Sequence, residues 1–147
     1  MNKLRKWITP YLLLLLLVTL CGCRLIRYTY SFAQDFENVD NIQICKYSYD
    51  EKSVTPLKQL SKEEQKQIFS DISALPNYHH FGDHTEDYGN YVVFITYTDG
   101  TAEVIGESNV ANVTKSGEWR IGIDYFDFEE FQKMIAKYYN PEKSSLS

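Results

Sequence analysis

The sequence predicts an α+β domain, an antiparallel sheet of about four strands with two amphipathic helices packed on one face. Three observations carry this. Two segments open with a helix-capping signature and continue with apolar residues at helical spacing. A segment rich in β-branched and aromatic residues runs into Asp99-Gly100, a tight-turn pair, and then a return strand. The order strand, helix, strand, hairpin, strand, helix suits an antiparallel sheet with its helices gathered on one side.

Each element has its own local reason. Residues 42–49 read as the first strand, with Ile42 and Ile44 on one face and Cys45, Tyr47 and Tyr49 on the other. The polar stretch 50–56 reads as a loop. Ser61 and Glu64 form a capping box that starts a helix over 62–75, with Ile68, Ile72 and Leu75 as its apolar stripe and Phe69 beside it; Pro76 ends it. Residues 90–98 and 101–105 form the hairpin. Residues 106–113 have no clear pattern, and Ser116-Gly117 marks a turn. Residues 119–126 read as one further strand. Asp127 and Glu130 suggest a second capping box, flanked by Phe126 and Phe131 in hydrophobic-staple positions. The helix over 128–139 then carries Phe128, Phe131, Ile135 and Tyr138 on one face, and Asn140-Pro141 closes it.

Composition supports one packed domain and excludes some partners. Hydrophobic and charged contents of 44% and 24% are ordinary for a globular chain, so a core is expected. The formal charge of −5 becomes −8 once the first 22 residues, with three bases and no acid, are set aside. Such a surface is a poor ligand for phosphate backbones, so no nucleic-acid partner is expected.

Residues 1–23 read as an address. Lys3, Arg5 and Lys6 precede a short apolar run of signal-peptide length, and Leu20-Cys21-Gly22-Cys23 follows. This resembles the lipobox of bacterial lipoproteins. The resemblance implies that a diacylglycerol is placed on the Cys23 sulfur, with fatty acids such as palmitate completing the anchor, and that cleavage occurs before Cys23. The protein would then sit on the outer face of the cell membrane. The competing reading is an uncleaved anchor over 7–23, which also places the remainder outside the cytoplasm. Cys45 would be left as the single free thiol, without a disulfide partner. The expected organisation is a signal peptide at 1–22, a lipidated tether at 23–41, a globular domain at 42–140 and a disordered tail at 141–147. A strand around Tyr28, Tyr30 and Phe32 fits their alternation with Thr29 and Ser31. The capped helix, Tyr97-Thr98-Asp99-Gly100-Thr101 and Phe126-Asp127-Phe128-Glu129-Glu130-Phe131 together resemble small extracytoplasmic domains of Gram-positive lipoproteins. That resemblance implies no assigned activity and carries no catalytic residues.

Two constellations are candidate sites. His79, His80 and His84, with Asp83, lie in one turn-rich loop, and imidazoles with carboxylates suit Zn²⁺, Cu²⁺ or Ni²⁺. Their spacing matches no metalloprotease motif, and a solvated, turn-rich loop is the favoured explanation of them. Tyr91 and Tyr97 share one face of the strongest strand and are candidates for a surface that binds a glycan or peptide, although finishing the core or covering a sheet face is the commoner use of such residues. The acid pairs Glu63/Glu64 and Glu129/Glu130 are explained by helix N-termini. No Gly-x-Ser-x-Gly, phosphate-loop or dinucleotide fingerprint occurs. The expectation is therefore a non-enzymatic, membrane-tethered interaction module without a cofactor, binding an envelope protein, peptide or polymer. A metal- or solute-binding accessory lipoprotein is the alternative, and an envelope hydrolase is disfavoured.

Overall fold

The computed structural model describes residues 27–80 and 86–141. The segment read as a signal peptide, Cys23 and the tail after Pro141 lie outside the described residues. Among the described residues a single 3-10 turn (Phe36–Asn38) is followed in order by β1 (Val39–Ser48), β2 (Ser53–Gln59), α1 (Lys62–Ala74), β3 (Asn77–His79), β4 (Tyr91–Tyr97), β5 (Ala102–Ile105), β6 (Val110–Val113), β7 (Trp119–Ile121), β8 (Asp124–Phe126) and α2 (Phe128–Tyr138). Six strands form one antiparallel sheet in the order β2-β1-β4-β5-β6-β7, and β3 pairs with β8 in a separate ribbon. The α+β class, the antiparallel sheet and the two helices are as expected. The expected count of four strands is corrected to six plus two. Among the described residues no helix is long and apolar enough to cross a membrane.

The added strands have identifiable causes. β2 falls largely within the stretch read as a polar loop. It is an edge strand, mostly exposed, with Pro56 inside it and Leu57 bulged out between the Ile44–Lys58 and Cys45–Pro56 pairs. Proline is tolerated at an edge because one side of the strand needs no ladder partner. Residues 119–126 do not run as one strand. The chain leaves the main sheet after Ile121, and β8 joins β3 instead.

Both capped helices form. Ser61 and Glu64 exchange both bonds of the capping box, at 3.2 and 2.9 Å. At α2 the Asp127 carboxylate accepts from the Glu130 amide at 3.1 Å. Phe126 and Phe131 meet with ring centroids 5.8 Å apart, as a staple requires. The buried stripe of α2 is Phe131, Met134 and Ile135; Phe128, expected on it, is 61% exposed.

The helices cover one sheet face. Ile42, Ile44, Val93, Ile95 and Ile105 on that face pack with Ile68 and Ile72 of α1 and with Phe131, Met134 and Ile135 of α2. The chain before β1, expected to be a tether, is part of this core. Tyr28 bridges to Asn77, Tyr30 is buried, Phe32 stacks on Phe69 at 3.7 Å, and Phe36 meets the same ring edge-on. The packed unit thus begins at Tyr28 rather than at Ile42.

The segment before β1 is held by a buried carboxylate. Glu103 on β5 is almost fully buried. It accepts from the Tyr30 hydroxyl at 2.8 Å, from the Ala33 amide at 3.0 Å and from the Tyr97 hydroxyl. Burial pushes the Glu103 carboxyl above its ordinary value, and the bonds from Tyr97, Tyr30 and Ala33 pull it back only in part. A carboxyl whose folded pKa is raised adds stability below its unfolded pKa, and that stability is lost as pH rises through the folded pKa. Relative to Glu103→Gln, the native domain should therefore gain stability as pH falls from neutral toward the ordinary carboxylate range. Urea midpoints of both proteins across that window check this. Parallel curves would contradict it.

Candidate functional site

The sheet face away from the helices is built from the opposite parity of the same strands. Cys45, Tyr47, Val92, Val104 and Ala111 form its buried part, with Val54, Phe94, Val113, Trp119 and Ile121 partly covered around them. Among the described residues no helix packs on this face. Near one end is a cleft of about 210 Å³ lined by Tyr47, Lys52, Glu86, Tyr88, Trp119 and Ile121.

Three aromatic rings make its floor. Tyr47 and Tyr88 meet edge to face with centroids 4.9 Å apart, and Tyr88 meets Trp119 the same way at 5.5 Å. Tyr47 is fixed by its strand and by its hydroxyl, which donates to the Glu86 carbonyl at 2.8 Å. Tyr88 sits on a loop rather than on a strand, so its placement needs another cause. Gly106 supplies it, because a Cβ there would collide with the Tyr88 backbone oxygen. Gly89 has a φ of +85°, and a Cβ there would meet the Glu107 carboxylate. Asn109 also donates to the Asp87 carbonyl. These contacts seat the Glu86–Gly89 segment against the turn after β5.

Charge is confined to the rim. Lys52, in the β1–β2 turn at a φ of +48°, pairs with Glu86. Both are exposed, so the pair contributes little stability and is free to exchange partners. Burial raises Tyr47 above the ordinary phenol value and pushes Tyr88 up to about 12. Both phenols stay protonated at neutral pH. The cleft therefore offers ring faces and neutral hydroxyls in its floor, with one cation and one anion at its edge. Among its described lining residues no nucleophile is paired with a base.

The sequence-predicted residues fall elsewhere. Tyr97 is buried on the helix-covered face and bonded to Glu103, and Tyr91 is partly buried against Tyr139 at 5.8 Å. They are on the wrong side of β4 for an open surface, because α2 covers their side. His79 stacks on Tyr28 at 3.7 Å, with Nε2 3.4 Å from Asp124 Oδ1. His80 stacks on Tyr125 at 4.2 Å, with Nε2 2.9 Å from the Ser108 carbonyl. The two imidazoles thus have separate partners. Asp83 and His84 lie outside the described residues, and among the described residues no three metal-ligating side chains gather. The cleft residues were missed because they come from distant segments. Parity held a usable signal: Tyr47 lies opposite Ile42 and Ile44, so helices covering those isoleucines leave Tyr47 on the open side. No protein-family model, curated protein or solved structure matches this chain.

Proposed function

We propose that this chain is a non-catalytic, lipid-anchored interaction module on the outer face of a membrane, and that it binds its ligand at the aromatic cleft of the open sheet face. The observation that carries the binding reading is the cleft itself: Tyr47, Tyr88 and Trp119 grouped on the one face the helices leave uncovered. Rigid aromatic rings bury large area at low entropic cost, which is why such residues dominate binding surfaces. The volume suits one side chain or one sugar ring of a peptide or envelope polymer, being below the usual range of about 300–1,000 Å³ for larger ligands. The anchoring reading is supported by the ordered basic segment, apolar run and lipobox that end at Cys23.

Titration of the processed protein with short peptides and oligosaccharides, followed by Trp119 emission, should give a saturable change. Ile121→Ala should weaken it about tenfold, the effect of a modest interface contact, while leaving thermal melting nearly unchanged. Saturable binding that is indifferent to Ile121→Ala and Lys52→Ala would remove the cleft from the proposal. A response that appears only with Zn²⁺ and is lost with His79→Ala or His84→Ala would favour the metal-binding alternative.

A further inference from the structure

We infer that the β3–β8 end of the domain, with Tyr78, Tyr125 and Phe128 beside Arg27, rests in the headgroup layer of the bilayer that holds Cys23. The inference builds on the lipid-anchored reading above. It starts from where packed structure begins. Tyr28 is already fixed, its amide donating to the Asn77 carbonyl at 2.8 Å and its ring stacked on His79. Cys23 is five residues earlier. Whatever path they take, five residues span at most about 18 Å. The domain itself has a radius of gyration of about 13 Å by its length. A leash that short keeps the Tyr28 side of the domain against the membrane surface.

That side carries the side chains a membrane interface takes. Tyr78 and Tyr125 are cross-strand partners, so they share one face of the ribbon, with centroids 5.4 Å apart. Phe128, at the start of α2, is the most exposed large apolar side chain among the described residues, and Ile123, just before β8, is 49% exposed. Arg27, Pro76, Tyr78 and Phe128 line one open groove of about 780 Å³. Tyrosines and a cation are typical interfacial anchors, and an exposed phenylalanine gains by entering the headgroup–acyl boundary. Asp127, Glu129 and Glu130 line the same groove, so its charge is net negative. Apolar partition therefore drives the contact, and anionic lipid is not required.

The test uses the processed, acylated protein, which begins at Cys23, in phosphatidylcholine vesicles. Phe128→Trp in a Trp119→Phe background places one indole on the proposed surface. Its emission should shift to the blue and lose about half its intensity when the acyl chains are brominated, as for an interfacial indole, and aqueous iodide should barely reach it. An acyl mass on Cys23 with an indole open to iodide and blind to bromine overturns the orientation and leaves the anchor standing. No acyl mass on Cys23 overturns both. A second measurement needs no indole: in the unsubstituted protein on vesicles, amide exchange around Tyr78 and Tyr125 should slow several-fold relative to Cys23→Ala in solution. Equal exchange overturns the orientation.

Discussion

Phe131→Ala is expected to cost about 3–5 kcal/mol, the range for emptying a fully buried aromatic site. The ring has no solvent exposure, packs against Phe126 and sits where α2 meets the sheet. Against a typical total of about 5–15 kcal/mol, that loss leaves a marginal domain. One turn earlier, Phe128→Ala should change stability by no more than about 0.5 kcal/mol, as surface substitutions usually do. The two phenylalanines thus separate packing from surface in one helix, and urea denaturation of both variants measures the contrast. Equal losses would mean that Phe128 is packed in solution. Unchanged stability in Phe131→Ala would detach α2 from the sheet.

A chain cut to begin at Ile42 should fail to fold cooperatively, although the sequence alone suggests a self-sufficient unit from that point. The cut removes Tyr30 from the core and takes Phe32 and Phe36 off Phe69. It also strips Glu103 of two of its three donors, Tyr30 and the Ala33 amide, leaving only Tyr97. Losing the Tyr30 ring alone is comparable to an aromatic-to-alanine change of about 3–5 kcal/mol. A buried carboxylate short of donors adds a desolvation cost. Glu103→Gln in the shortened chain should recover part of the loss, since it removes the charge and keeps an acceptor. Thermal melting by circular dichroism decides the matter: a shortened chain melting within a few degrees of the longer one would reduce Tyr30 to a bystander.

What was legible in the sequence was local. The Ser61 and Asp127 caps, the Phe126–Phe131 staple and the Asp99-Gly100 turn each depend on residues a few positions apart, and each forms. β2 was illegible because an exposed edge strand with Pro56 has no apolar alternation to read. β3 and β8 are three residues each, too short for periodicity to register. Phe128 was placed on the buried stripe by spacing alone, which cannot say that the side chain at the first position of α2 stays exposed. Tyr97 stood as a candidate surface residue beside the core reading, because no partner was visible near it in the sequence. Its partner Glu103 is close in sequence, but only pairing of β4 with β5 turns both side chains inward. The cleft draws on β1, the β1–β2 turn, a loop and β7, so no window of sequence contains it.

The contact between Tyr30 and Glu103 spans 73 residues, and this sets an order of events for a chain made from its N-terminus. At a synthesis rate of roughly 5–20 residues per second, Glu103 emerges about 4–15 s after Tyr30. β1 waits in the same way for β4. Phe32 and Phe36 can meet Phe69 sooner, but through those seconds the Tyr30 hydroxyl lacks the carboxylate it donates to. A core that draws on both ends of the chain can close only after β4 and β5 have been made.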